Sequence, residues 1–155
     1  MARLSDIMDE SAILFDLPQA DKDTVITSLV EVLESTGAVI DADQMVADIR
    51  AREKLMSTGI GGGIAVPHAQ SRGAGRLALS LARLSNPIEF DALDGRPVQL
   101  LFLVVGPEDR SGFIRVLARI SRLLYSGDLQ RNLLRARSPA EAMELIRVEE
   151  SRITG

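Results

Sequence analysis

The feature that most constrains the fold of this chain is the segment Val98 to Val105, which reads VQLLFLVV. A strand with one face in water alternates polar and apolar residues, whereas a strand covered on both faces is apolar almost throughout. Only Gln99 interrupts this apolar run. The segment therefore predicts a central β-strand with other parts of the chain packed on both of its faces.

Hydrophobic periodicity and turn residues predict helices and further strands on either side of this segment. The predicted helices cover residues 21–35, 42–56, 112–125, 128–136 and 139–148, and the other predicted strands cover residues 11–15, 64–66 and 77–84. Residues 86–97, NPIEFDALDGRP, are predicted to form a turn-rich connection. We expect one α/β domain over residues 1–155, with a central mixed β-sheet flanked by helices on both faces.

Composition argues against several classes of function. The chain has no cysteine and one histidine, which excludes thiol chemistry and argues against a zinc site, so we expect no metal. Asp91, Asp94 and Asp109 lack the spacing of metal ligands and are interpreted as turn residues, with a place at the rim of a site as the alternative. A net charge of −4 and few aromatic residues argue against nucleic-acid binding. No apolar run reaches the roughly 20 residues of a membrane span, and no signal peptide is evident, so we predict a cytoplasmic protein without direct membrane insertion.

The only histidine, His68, ends the glycine-rich stretch STGIGGGIAVPH. The stretch lacks the lysine of a P-loop, and Ile64 stands where a dinucleotide-binding fingerprint needs its last glycine. The glycines predict either a simple tight turn or backbone that can approach a ligand closely. His68 follows the extended pair Val66-Pro67, which predicts a position at a loop rim, where it is a candidate nucleophile or proton carrier. A structural role for the ring remains the alternative.

A permanently charged residue interrupts the apolar stripe of the helix predicted before this stretch. Met45, Ile49, Arg52 and Met56 share one helical face. Either the guanidinium of Arg52 reaches solvent or a nearby carboxylate, or it points toward His68, where it would keep the imidazole neutral and bind a phosphoryl group. These two interpretations are compatible with each other.

The block REKL, STGIG and AVPH resembles the fructose/mannitol-type IIA component of the bacterial phosphotransferase system, and within it the nitrogen-regulatory IIA proteins. The segment NPIEFDALDGRPVQLLFLVVGPED resembles the central part of the same family. The resemblance implies a phosphocarrier, a phosphohistidine phosphotransferase component rather than a free-standing enzyme, that needs no metal and no organic cofactor. It implies that His68 accepts the phosphoryl group through Nε2, that Arg52 stabilises that group, and that the stretch from Ser57 to Gly63 borders the site. The rim residues so implied are Ser57, Thr58, Gly59, Gly61, Gly62 and Gly63.

The sequence departs from this family at one position. Relatives commonly have a second histidine near the start of the helix that follows the PED segment, and this chain has Phe113 there. Phenylalanine cannot make the hydrogen bond of an imidazole. Its place in an apolar helical stripe favours a core role over a role at the rim of the site.

Two hypotheses follow from the resemblance. In the first, the chain is a regulatory phosphocarrier that receives its phosphoryl group from HPr or the nitrogen-branch paralogue of HPr and acts on target proteins. A variant of this hypothesis is the IIA component of a sugar uptake system with a separate IIB partner. The absence of appended IIB or membrane IIC segments is taken to favour regulation. In the second, the chain is a binding module of the IIA fold that controls a partner by contact, with phosphoryl transfer weakened or lost through Phe113.

Overall fold

The computed structural model describes residues 3–18, 21–108, 112–125 and 127–154. Within these ranges the chain forms a six-stranded mixed sheet and five α-helices. The strands are β1 (Met8–Leu17), β2 (Gly59–Gly61), β3 (Ile64–Ala65), β4 (His68–Gln70), β5 (Ala78–Ile88) and β6 (Val98–Gly106). The helices are α1 (Lys22–Ser35), α2 (Ala42–Leu55), α3 (Gly112–Leu124), α4 (Asp128–Arg135) and α5 (Pro139–Thr154). None of the helices in the described ranges is both long and apolar enough to cross a membrane.

Strand β6 lies in the middle of the sheet. It pairs antiparallel with β5 along one edge, and parallel with both β3 and β4 along the other. Strand β1 extends the sheet beyond β5 as a parallel neighbour, and β2 extends it beyond β3 as an antiparallel one. This arrangement confirms the predicted α/β class with a mixed central sheet.

The side chains of β6 alternate between two apolar layers. Leu101 and Val105 pack in the cluster that includes the buried residues of α1 and α2. Leu100 and Val104 pack in the cluster that includes the buried residues of α3, α4 and α5. The two-sided burial that the sequence predicts for this strand is therefore observed.

The structure differs from the sequence prediction mainly in short or polar segments. Strands β2 and β4 have three residues each, too few for a recognisable hydrophobic period. Strand β5 continues to Ile88 through Asn86 and Pro87, which the sequence assigns to a turn, and most of this extension is exposed and unpaired with β6. Helix α5 reaches Thr154, six residues beyond its predicted end. Pairing and packing, rather than local sequence preference, fix these boundaries.

A fully buried carboxylate fastens the first described residues to the last helix. Glu150 of α5 accepts hydrogen bonds from the backbone N–H groups of Leu4, at 2.7 Å, and Ser5, at 3.2 Å. Arg119 of α3 forms an ion pair with the same carboxylate at 3.7 Å. Glu150 therefore joins three segments on the face of the sheet that carries α3, α4 and α5.

Shortening a side chain on the central strand should destabilise the whole fold. We expect Leu101→Ala to lower the free energy of unfolding by about 2–5 kcal/mol, because Leu101 is completely buried and the cavity would not refill. The measurement is denaturant unfolding followed by circular dichroism. The matched control is Leu93→Ala, since Leu93 is 81% exposed and its truncation should change stability by less than about 0.5 kcal/mol.

Candidate functional site

His68 is the first residue of strand β4, at an edge of the sheet. It pairs with Val104 of β6 and stands between α2 on one side and the start of α3 on the other. The sequence predicts a loop rim for this residue, but the backbone continues as a strand because β6 still has free hydrogen-bonding groups at this point. The ring borders an open depression lined by Asp48, Arg52, His68, Ala69, Gln70, Glu108 and Phe113.

A hydrogen bond to the main chain fixes the tautomer of the His68 imidazole. Its Nδ1 atom lies 2.7 Å from the carbonyl oxygen of Val66. A carbonyl oxygen can only accept, so Nδ1 carries the proton when the ring is neutral. The lone pair is therefore on Nε2. The sequence alone cannot make this assignment, since it depends on a backbone contact within the turn.

The surroundings of His68 keep the imidazole neutral. Burial lowers its pKa below the ordinary value of 6.5, and the positive charge of Arg52 lowers it further. The Val66 carbonyl and the negative charge of Glu53 act in the opposite direction, and the net effect is a lowered pKa. At neutral pH the ring is therefore an uncharged nucleophile rather than an imidazolium.

Arg52 reaches the same depression from the last turn of α2. Its Nη1 donates a hydrogen bond at 2.7 Å to the carbonyl oxygen of Met56, which closes the carboxyl end of the helix. In the described part of the chain no carboxylate forms an ion pair with Arg52. The guanidinium is thus held in place through the main chain while its charge stays available to an anion beside His68.

Phe113 belongs to the hydrophobic core and to the candidate site at once. The side chain is only 4% exposed and packs in the cluster beneath α3, as its helical stripe predicts. Its ring centroid nevertheless lies 5.8 Å from that of His68, at an interplanar angle of 54°. Gly106 makes room for this ring, because a Cβ atom there would come within 3.1 Å of Phe113 Cδ1. Phe113 therefore contributes to the apolar surroundings of the imidazole.

The three consecutive glycines Gly61, Gly62 and Gly63 do not reach the His68 depression, although the resemblance implies them as rim residues. All three have positive φ; Gly61 ends β2, and Gly62 and Gly63 form the turn between β2 and β3. This turn is level with Leu100 on β6, whereas His68 is level with Val104, about 13 Å further along the strand. Gly62 and Gly63 instead line a separate depression together with Arg96, Gln99 and Gln130.

The first residues of the glycine-rich stretch, Ser57 to Gly59, make hydrogen bonds next to the site. The Ser57 hydroxyl donates to the carbonyl oxygen of Phe90, and the N–H of Gly59 donates to Ser57 Oγ at 3.0 Å. Thr58 is buried, and its carbonyl oxygen accepts the N–H of Val66 at 2.9 Å. Of these residues, Thr58 contacts the segment that leads to His68, and none of the three lines the depression.

Acidic residues have roles at and around the site that the sequence does not reveal. Asp48 and Glu108 line the depression on opposite sides of the imidazole. Asp94 accepts hydrogen bonds from the N–H groups of Gly62 and Arg96, which lower the pKa of its carboxyl, and is a turn residue as interpreted. Asp91 lines a depression beside α1 and α2. Asp109 lies outside the described residues.

Glu53 is the principal residue that sequence reasoning overlooks. It follows Arg52 in α2, is 8% exposed and holds the Thr58 segment. A charged residue in the middle of an exposed-looking REK triplet gives no signal of burial. The usable hint is that Glu53 lies four residues after Ile49 and eight after Met45, which places it on the same buried face of the helix.

Comparisons with known proteins identify the family of this chain and its fold. The family model described as "Phosphoenolpyruvate-dependent sugar phosphotransferase system, EIIA 2" matches residues 6–148. The nitrogen regulatory protein of Pseudomonas aeruginosa is 35% identical over 150 residues, which cover 96% of this chain and 97% of that protein. The fructose-specific EIIA component of Haloferax volcanii is 31% identical over 147 residues, which cover 92% and 94% of the two chains. The crystal structure of the nitrogen regulatory protein IIA-Ntr from Neisseria meningitidis superimposes with a TM-score of 0.85 at 28% identity, covering 92% of this chain and 97% of that one.

The charge of Arg52 should be measurable in the titration of His68. We expect a midpoint below 6.5 in the unmodified protein and a higher midpoint in Arg52→Gln, because the positive charge that disfavours the imidazolium is removed. Nuclear magnetic resonance of protein labelled with nitrogen-15 histidine gives the value directly, since the chain has one imidazole. Arg50→Gln is the matched control, because Arg50 lies on the same helix but pairs with Asp23. Equal shifts in both variants would contradict the assignment.

Proposed function

The chain belongs to the EIIA 2 family of the phosphoenolpyruvate-dependent sugar phosphotransferase system, and from this premise we propose that it is a phosphocarrier that accepts a phosphoryl group on Nε2 of His68. The proposed donor is a histidine-phosphorylated carrier protein, HPr or the nitrogen-branch paralogue of HPr. The observation that carries the proposal is the hydrogen bond from Nδ1 to the Val66 carbonyl, which leaves the Nε2 lone pair free beside Arg52.

The proposed reaction is an in-line displacement at phosphorus. The Nε2 lone pair forms the new N–P bond while the N–P bond of the donor breaks, and its electron pair returns to the donor nitrogen. The proton on Nδ1 stays in place throughout. The acceptor ring therefore gains positive charge, which the Val66 carbonyl dipole stabilises, and the phosphoryl oxygens keep negative charge, which Arg52 stabilises.

A regulatory role is the preferred form of this proposal. The chain is 35% identical to a nitrogen regulatory protein over nearly the full length of both, and this similarity supports control of target proteins. The second form is a IIA component of sugar uptake that passes the group to a separate IIB component. Similarity to a fructose-specific EIIA component favours that form. The predicted cytoplasmic location belongs to the same proposal.

A binding module with weak or lost transfer is the second candidate function. The specific observation that favours it is the ring of Phe113 beside His68, since this ring offers no hydrogen bond to a phosphorylated imidazole. Both functions use the same surface around His68. They differ in whether phosphate is acquired and passed on.

Phosphorylation of His68 can be tested in a reconstituted system. With phosphoenolpyruvate, enzyme I and an HPr-type carrier, we expect the unmodified protein to gain one acid-labile phosphoryl group by intact-mass analysis. His68→Ala should gain none while keeping the same circular dichroism spectrum. If the native protein stays unphosphorylated with saturating donor, the phosphocarrier proposal is wrong. The binding module with lost transfer is then the favoured function.

Substitution of Arg52 should slow transfer without removing the acceptor. We expect Arg52→Gln to reduce the rate constant for phosphorylation by roughly 100-fold, because the charge that stabilises the transferring group is lost. Rapid-quench kinetics with excess phosphorylated carrier provide the measurement. Arg50→Gln should react at the native rate, and a similar loss in both variants would point to a general effect of charge on carrier docking.

A further inference from the structure

Glu53 is a buried carboxylate immediately behind the candidate site. It is 8% exposed, in the last turn of α2, and its Oε2 lies 2.8 Å from Lys22 Nζ of α1. Lys22 in turn lies over the ring of Phe90, with its nitrogen 4.4 Å from the centroid. Removing a carboxylate from water is costly, and a single lysine that is itself a quarter exposed compensates only part of that cost.

Within the described ranges, the remaining hydrogen bonds of Glu53 go to one residue, Thr58. The Thr58 N–H lies 3.2 Å from Oε1 and 3.3 Å from Oε2, and the Thr58 hydroxyl donates to Oε1. The carboxylate thus orients the Thr58 main chain after α2 has ended. Since Thr58 has no helical partners there, Glu53 sets the path by which the chain enters the sheet.

Two main-chain hydrogen bonds connect Thr58 to the imidazole. The Thr58 carbonyl oxygen accepts the N–H of Val66 at 2.9 Å, and the Val66 carbonyl oxygen accepts Nδ1–H of His68 at 2.7 Å. The Val66 peptide groups are therefore held on one side by the Thr58 segment and hold the ring on the other. A shift of Thr58 would move the carbonyl that selects the tautomer of His68.

We propose that Glu53 is a positioning residue for His68, which acts through Thr58 and Val66 to keep the proton on Nδ1 and the lone pair on Nε2. The orientation of the ring needs no phosphoryl transfer, and only the kinetic consequence rests on the proposed function. Lys22 completes the arrangement by holding the Glu53 carboxylate in place through their ion pair.

The charges around the imidazole are consistent with this role. Arg52 and Asp48 face it from α2, and Glu108 faces it from the end of β6. Arg52 and Glu53 are consecutive and act on the ring in opposite directions, the arginine lowering its pKa and the glutamate raising it. Glu53 is the member of this group that also determines where the ring lies.

The first experiment reads the tautomer in the unphosphorylated protein. With nitrogen-15 histidine, the single imidazole of the native protein should show a protonated Nδ1 and an unprotonated Nε2 at pH 8. Glu53→Gln and Thr58→Val should each show an increased share of the Nε2–H tautomer, and Thr58→Ser, which keeps the hydroxyl, should restore the native pattern. Glu150→Gln is the matched control, because it also neutralises a buried carboxylate but on the α5 side.

The second experiment separates positioning from stability and from docking. With saturating phosphorylated carrier, we expect Glu53→Gln to lower the rate constant roughly tenfold while the KM for the carrier stays unchanged. Glu150→Gln should lose stability in urea unfolding and keep the native rate. If Glu53→Gln does not fold, the tautomer and the rate constant are measured in Thr58→Val instead, since this variant removes the hydroxyl that donates to Glu53.

The two experiments have outcomes that distinguish the inference from the function on which it builds. A native tautomer in folded Glu53→Gln and Thr58→Val would overturn the positioning role, as would an equal change in Glu150→Gln. If the native protein accepts no phosphate, the phosphocarrier proposal fails. The tautomer comparison would still decide the role of Glu53.

Discussion

The burial of both faces of β6 is the constraint on which the remaining structure depends. A strand without a polar face needs a layer of helices on each side, and the alternation of Leu100 and Leu101 between two apolar clusters shows that both layers are present. Residues of both helical layers border the edge of the sheet where β4 pairs with the last residues of β6. A side chain placed at that edge contacts both layers, which is the position of His68.

The site combines rigid support with an open face. Main-chain groups hold its two central side chains: the Val66 carbonyl orients His68, and the Met56 carbonyl fixes Arg52. Backbone partners move only if secondary structure moves, so these contacts are more constant than side-chain contacts on a surface. The same backbone arrangement leaves the Nε2 side of the ring accessible to a partner.

The fold was largely predictable because its signals are long. The two-sided apolar run of β6 and the periodic helices determine the layers, and a family-specific block identifies His68 and Arg52. No comparable signal marks β2 and β4, which have three residues each and pair only because β3 and β6 lie beside them. The burial of Glu53 was not predicted either, since three consecutive charged residues are typical of an exposed helical face. The three glycines lie apart from the His68 depression because extended strand separates positions that are close along the chain.

The hydrogen bond between His68 and Val66 also bears on how the chain can change over time. The group that selects the reactive nitrogen is a carbonyl, and every amino acid carries one. Exchanging the Val66 side chain for another of similar size leaves that acceptor in place. Only the packing of the side chain therefore restricts which residue can stand at this position. Substitutions can therefore change the side chains that line the depression, whereas the choice of nitrogen follows from the path of the main chain.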